Sequence, residues 1–291
     1  TRQPEPAIVV TAPTAGQSEA RKASGTAAPR TAPRTPDGRP DLTGYLTTQT
    51  FTPLERPDYL AGKEFFTDEE LAALQQQLTA EGVDPTARDA VNIEDAEART
   101  KRLDQTKREA TYIHYDNAVW LRTPVPKGLS SRRTSLITDP RDGKIPPLTA
   151  EAQRRAAAAA EARRQRGAFD GYETRPLSER CIVWTHEGPP ILPPAYNDIH
   201  QIYQTPDYVV VFTELSNNRA RIIPLDGRPH IPDNIRQFAG DSRGRWEGDT
   251  LVVETKNFTD KRGWQGSTGA LHVVERFRRI DANTLEYSAT I

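Results

Sequence analysis

The chain has 291 residues, a formal net charge of -1, one cysteine, no methionine and 35 % hydrophobic residues. The near-zero charge argues against a nucleic-acid binder, which needs a clear excess of Lys and Arg to neutralise phosphates. No apolar run approaches the ~20 residues that a membrane-spanning helix requires, and a single cysteine, Cys181, excludes an internal disulfide.

Thr1 to Pro40 holds seven prolines and no aromatic residue. Such a segment favours extended, solvated backbone. Its side chains do not offset an ordering cost of ~1 to 2 kcal/mol per residue, so a partner is expected to hold it. Residues 1-40 therefore read as an extended Pro-rich arm, with Pro4, Pro6, Pro13, Pro29, Arg30, Pro33, Arg34 and Pro36 as its partner-binding residues. The absence of methionine, the initiator included, fits a removed signal peptide or another trimming, and the pattern at Thr284 to Ile291 ends without a terminal cap.

Residues 41-170 read as a helical and extended wrapping region. Its clearest helix starts at Thr67, which forms a capping box with Glu70, while Phe66 staples onto Leu71; Leu71, Leu74 and Leu78 make a narrow stripe before Gly82. Ile93 to Ala110 is a second, highly charged helical candidate whose charges read as a solvated face. Ala110 to Leu121 and Arg133 to Thr138 read as strands, and Pro140 to Gly143 as a turn.

Thr149 caps a third helix ending at Arg166 and Gly167. Arg163, Arg164 and Arg166 suit its negative end, although a basic end also suits a membrane surface or an acidic protein rim. Five successive alanines, Ala156 to Ala160, leave this helix almost no side-chain anchor.

Residues 171-291 read as an antiparallel β-meander domain, consistently β in pattern from Cys181, which itself reads as buried and inert. Ile199 to Tyr203, Asp207 to Thr213 and Ala220 to Leu225 are successive strands. Tyr208, Val210 and Phe212 face one way and Val209 and Val211 the other, which implies cover on both sides. Two hairpins follow, across Glu247-Gly248-Asp249 and across Asp281-Ala282-Asn283. The fold class is mainly β with added helices (α+β). An antiparallel meander forms a curved sheet or small barrel, joined by the arm and two or three peripheral helices.

Motifs for chemistry are weak. Gly240-Asp241-Ser242-Arg243-Gly244 matches the nucleophile elbow of serine hydrolases, but a hairpin follows where that elbow needs a helix, and the stretch reads as a glycine-bounded turn leading into a strand. His114, His186, His200, His230 and His272 show no metal-ligand spacing, and His230, between prolines, reads either as a rigid surface contact or as packed beside Trp246 or Tyr208 on a backbone carbonyl. Asp241, Glu247 and Asp249 are paired carboxylates best explained by turn chemistry. Tyr196, Tyr203, Tyr208, Arg219, Arg221, Arg243 and Trp246 suit either an interface or a barrel interior and its rim. No catalytic, cofactor-binding or metal residue is assigned, and no nucleotide or haem motif is present in the sequence.

Three stretches resemble a family of secreted bacterial proteins frequent in acidobacteria, gemmatimonads and some proteobacteria: Thr35 to Gly44, Ile145 to Thr149 and Arg175 to Cys181. The likeness continues through Gln204 to Tyr208, Arg221 to His230 and, most specifically, Gly240 to Thr255, and it covers about residues 33 to 291. It implies an exported chain with a β-rich C-terminal half. It brings no reaction and no catalytic residues. The region of Ala110 to Leu121 and the charged helix before it depart from the family pattern.

The resulting expectation is a non-catalytic accessory subunit, periplasmic or on the extracellular face of a bacterial membrane. It has no transmembrane segment of its own and docks on protein subunits of a larger complex, with photosynthetic and respiratory assemblies as examples. The alternative is a periplasmic ligand-binding or hydrolytic barrel with a pocket lined by Tyr208, Phe212 and Trp246.

Overall fold

The computed structural model describes residues 8–11, 32–48, 50, 52–78, 131–167, 170–193, 198–216, 220–261, 264 and 267–291. Two compact units emerge, one of residues 1–48 and 145–291 and the other of residues 49–144. These limits differ from the sequence boundaries at 40 and 170, because strands from before residue 48 join the C-terminal sheet.

The larger unit is built on nine strands among the described residues: β1 (Ile8–Thr11), β2 (Gly44–Thr47), β3 (Ile199–Gln204), β4 (Tyr208–Thr213), β5 (Ala220–Pro224), β6 (Asp241–Glu247), β7 (Thr250–Lys256), β8 (Val273–Arg279) and β9 (Thr284–Thr290). They form two four-stranded antiparallel sheets, β2 to β5 and β6 to β9, with β1 between β2 and β9. β1 pairs with β9 from Ile8↔Tyr287 to Thr11↔Thr284 and meets β2 only at Thr11↔Thr47. The arm was expected to lie on a partner. Where the structure describes its first strand, the chain's own sheet holds it.

The meander does not close into a barrel. The strand order ends at β5 on one side and β6 on the other, and these two share no ladder. Pro224 ends β5 without an N–H to donate. Ile223 and Leu225 pack instead against Gly244, where an added Cβ would stand 2.8 Å from Ile223 Cγ2 and 2.6 Å from Leu225 Cδ2. Side chains therefore fill the seam where a backbone ladder would have to run.

Alternation along the strands places Leu46, Ile202, Val209, Val211, Ile223, Leu251, Val253, Val273, Phe277, Leu285 and Tyr287 in the core between the sheets. The β6–β7 turn is the expected hairpin, with Glu247 paired to Thr250 across Gly248 and Asp249. Helix α2 (Ala150–Arg164) has Thr149 as its cap, the hydroxyl accepting from Ala152 N at 3.2 Å, and only Ala152 is buried. Its arginines serve the helix itself: Arg163 Nε donates to Ala159 O at 3.3 Å, and Arg164 pairs with Glu161. Cys181 was expected to be buried; it is exposed, in a turn with a φ of 53°.

The smaller unit carries α1 (Asp68–Leu78). The capping box forms as the sequence predicts: Thr67 N donates to Glu70 Oε2 at 2.8 Å, and Glu70 N donates to Thr67 Oγ1 at 3.3 Å. Arg133 to Thr138 is not a strand. It makes one bridge, Phe65↔Arg133, and then bends at Thr134 and Leu136, where Thr134, Ser135 and Leu136 are buried. The buried Arg56 guanidinium donates to Thr134 Oγ1 at 2.9 Å and to Arg141 O at 2.7 Å. The expected elements at Ile93 to Ala110 and Ala110 to Leu121, and Gly82, lie outside the described residues. Among the described residues no helix is long and apolar enough to cross a membrane.

Candidate functional site

The two sheets turn very different outer faces to solvent. On β2 to β5 the pairing register builds an apolar face in cross-strand rows. One row is Tyr203, Val210 and Ile222; the next is Tyr45, Gln201, Phe212 and Ala220; a third pairs Thr47 with Ile199. Tyr45 is 54 % exposed, Tyr203 49 %, Ile222 57 % and Ile199 40 %, with Val210 and Phe212 half-buried between them. The sequence implied cover on both sides of β4. Its inner residues are buried, and its outer ones stay half-exposed among the described residues.

The outer face of β6 to β9 is charged and paired within itself. Arg276 Nη1 lies 2.9 Å from Glu247 Oε2, Arg245 Nη2 lies 2.6 Å from Glu247 Oε1, and Arg278 Nη2 lies 2.6 Å from Glu286 Oε2. Arg276 and Arg245 together hold the Glu247 carboxyl below its ordinary range. The first face offers contact area, whereas the second satisfies itself.

The interior is filled. Arg221 reaches inward from β5, Ser242 from β6, Thr255 from β7, Glu275 from β8 and Tyr287 from β9. Arg221 donates from Nε to Ser242 Oγ at 3.1 Å, from Nη1 to Glu275 Oε1 at 3.0 Å and from Nη2 to Thr255 Oγ1 at 2.9 Å, and Nη2 also binds Glu275 Oε2. Tyr287 donates to Glu275 Oε1 at 2.9 Å while its oxygen accepts from Ile191 N at 2.8 Å. Burial, and then the Glu275 charge, push the Tyr287 phenol well above its ordinary pKa.

Beside this network, a cavity of about 10 Å³ is lined by Leu46, His200, Ile202, Phe277 and Tyr287 among others. That volume is the size of one water. His200 Nδ1 lies 3.1 Å from Thr213 Oγ1; burial, then the neighbouring His186, lower its pKa to about 4.

The residues singled out by sequence are scattered. Of the arm, Pro4, Pro6, Pro13, Pro29 and Arg30 lie outside the described residues. Pro33 is half-buried and its carbonyl accepts from Asp41 N at 2.9 Å; Pro36 is exposed in a turn. Arg34 forms a two-pronged bond with Asp249, at 3.0 and 2.6 Å, tying the arm's end to the β6–β7 turn.

Ser242 is 6 % exposed near the start of β6, shared between Arg221 and Thr255, so the G-x-S-x-G match lies in a strand and is neither an elbow nor the expected turn, because residues 241–244 pair with β7. Asp241 accepts from His230 Nδ1 at 2.8 Å, Ile231 N at 3.1 Å and Arg243 Nη1 at 2.7 Å, so His230 is held by a carboxylate instead of the expected carbonyl. Tyr208 and Phe212 face outward on β4 while Trp246 sits on the inner side of β6 under the Arg39 guanidinium, 5.7 Å from its ring centre. The three do not line one pocket. Among the described residues no group of three or more His, Cys, Asp or Glu is arranged to hold a metal, and His114, Tyr196 and Arg219 lie outside them.

Sequence reasoning missed the β2 to β5 face. Its signal was present in the alternation of Tyr45, Ile199, Tyr203, Val210, Phe212 and Ile222, which pointed as well to a second covered face as to an open one. Compared with models of known families, with curated proteins and with solved structures, the chain matches none.

Proposed function

We propose that the chain is a non-catalytic accessory protein of the extracytoplasmic side of a bacterial membrane, which docks on a protein subunit of a larger membrane-associated assembly through the outer face of β2 to β5. The observation that carries this reading is the contrast between the two outer faces. Tyr45, Tyr203, Ile222 and Ile199 are exposed together on one sheet, whereas the other sheet pairs its charges. Contiguous exposed apolar area of this kind marks interaction surfaces, and tyrosine is prominent among interface hot spots. The extracytoplasmic assignment is supported by the likeness to secreted proteins.

The hydrolytic alternative draws no support from Ser242, whose hydroxyl is committed to the buried network. The arm becomes a strap for the chain's own sheet at Ile8–Thr11 and at Arg34.

The test is retention in the source membrane. Full-length protein from gently solubilised envelopes should migrate at high mass, and a Tyr203→Glu/Ile222→Glu variant should migrate as a monomer with an unchanged melting temperature. Each buried charge is expected to weaken docking about 30-fold or more, equivalent to ~2 kcal/mol at a hot spot. Wild-type protein migrating alone would refute the proposal.

A further inference from the structure

Two buried histidines hold the end of β4. His200, 2 % exposed on the inner side of β3, pairs with Leu46 of β2 and Thr213 of β4, and its Nδ1 lies 3.1 Å from Thr213 Oγ1. His186, buried in the short turn Thr185–Glu187, places Nε2 3.0 Å from Glu214 O. Glu214 N in turn donates to Ile199 O at 2.8 Å, closing β4 onto β3. The next residue, Leu215, is exposed and has a φ of 56°. A leucine keeps that left-handed conformation only where its surroundings impose it. The end of β4 is thus gripped by two imidazole rings and strained one residue further on.

This grip suits a neutral His200 and not a charged one. His200 Nε2 is buried and has no hydrogen-bond partner among the described residues. With the ring proton on Nδ1 and directed at Thr213, Nε2 is a bare acceptor; a second proton would turn it into a donor on a charged ring. The cavity beside the ring has Leu46, Ile202, Val211 and Phe277 in its walls, and the two hydroxyls there are committed, Thr48 Oγ1 to Asp198 O at 3.4 Å and Tyr287 to Glu275 at 2.9 Å. A buried charge without a partner is far more costly than a buried neutral ring.

The titratable neighbours do not relieve that cost. His186 faces His200 from its turn, and its charge opposes a second proton. From β9 comes the Tyr287 phenol, and behind it Glu275 of β8 is already paired with Arg221 of β5. β2 and β4 present Leu46, Thr48, Val211 and Thr213, none of which titrates. Asp198 lies buried two residues before His200, yet burial of the ring, then His186, still lower the His200 pKa to about 4. Ile199 and Gln201, on either side of His200 in the chain, belong to the outer face: Ile199 pairs with Thr47, and Gln201 lies between Tyr45 and Phe212.

We propose that His200 is an acid-released catch: protonation of its ring frees the end of β4 from β3 and switches off the docking face that these strands carry. The release itself stands on the buried geometry, whereas its effect on docking rests on the docking reading.

The test measures amide hydrogen exchange and migration in gently solubilised envelopes side by side at pH 7 and pH 4.5, for the full wild-type chain and for His200→Gln. Between these two pH values the opening constant at the β3–β4 amides, corrected for intrinsic exchange, is expected to rise about 50-fold in wild type. The β6–β7 hairpin should rise far less, and the β3–β4 increase should be absent in His200→Gln. The high-mass form should be lost at pH 4.5 in wild type and kept in the variant. Equal acceleration on the two sheets would show global unfolding in place of a catch and overturn the proposal. So would a wild-type β3–β4 opening constant that does not change with pH, a readout that needs no variant to fold. Wild type that docks at pH 7 and stays docked at pH 4.5 while β3–β4 opens would overturn the coupling. Wild type migrating alone at pH 7 would refute the docking reading and with it the coupling, leaving the exchange data to decide the catch.

Discussion

Replacing Arg221 by methionine leaves Glu275 as a carboxylate inside the protein with a single remaining donor. Glu275 is 0 % exposed and Arg221 10 %, and the guanidinium supplies two of the carboxylate's three hydrogen bonds, Tyr287 the third. Breaking a buried ion pair from one side costs ~3 to 5 kcal/mol because the surviving charge is unpaired. Ser242 and Thr255 each lose a partner as well, although they retain each other at 3.0 Å. Domains of this kind have a total stability of ~5 to 15 kcal/mol, so the single variant should lose a large share of it.

The double variant Arg221→Met/Glu275→Leu removes the stranded charge and should recover most of the loss. Tyr287 would still accept from Ile191 N. Urea unfolding at pH 7, followed by tryptophan fluorescence with comparable slopes among variants, measures both. A single-variant loss under about 1 kcal/mol, the ordinary effect of a point mutation, would refute the reasoning, as would a double variant less stable than the single.

Three further outcomes are expected. His200 takes up its proton near pH 6.5 when unfolded and at about 4 when folded, so its contribution is complete above about 6.5 and is lost as pH falls through about 4. The loss is about 3 kcal/mol, and in His200→Gln unfolding profiles this part of the acid dependence should vanish; an unchanged slope would contradict it. Gly240 has a φ of +69°, and a Cβ there would stand 2.7 Å from Thr255 Cγ2 and 2.9 Å from Lys256 O. Gly240→Ala should therefore destabilise by about 2 kcal/mol or more by urea midpoint. Removing residues 1–11 frees the edge of β9, so hydrogen exchange should accelerate at the β1-facing amides of Thr284 to Tyr287 and stay unchanged on the β6–β7 hairpin; equal protection in both chains would show that β1 does not hold that edge.

The local signals in the sequence were reliable where the chemistry is local. Thr67 with Glu70, Thr149, and the two-residue turn at Gly248 and Asp249 each specify a terminus or hairpin from a few neighbouring residues, and the structure has them. Most of the strands from Ile199 to Thr290 were legible for the same reason, since alternation and turn residues lie side by side in the chain; the start of β6, with glycines at 240 and 244, read as a turn instead.

What depends on distant pairing was not legible. Ile8–Thr11 is a short apolar run in a proline-rich arm, and nothing near it indicates that its partner is β9, at the opposite end of the sequence. Whether β5 meets β6 depends on Gly244 receiving Ile223 and Leu225, which is tertiary packing. The candidate face was hidden for a related reason: Tyr208, Val210 and Phe212 look equally apolar under a second layer or open to solvent. Arg221 was noted among aromatics and arginines that suit either an interface or a barrel interior, and which of the two holds depends on Glu275, 54 positions away.

The most direct test of the docking account is site-specific photo-crosslinking in the source membrane, with the reactive group placed at Tyr203 and, as a control, at Arg278 on the outer face of the other sheet. The account expects one dominant covalent adduct to a membrane-assembly subunit from position 203 and none from 278. No adduct at 203, or the same adducts from both positions, would contradict it.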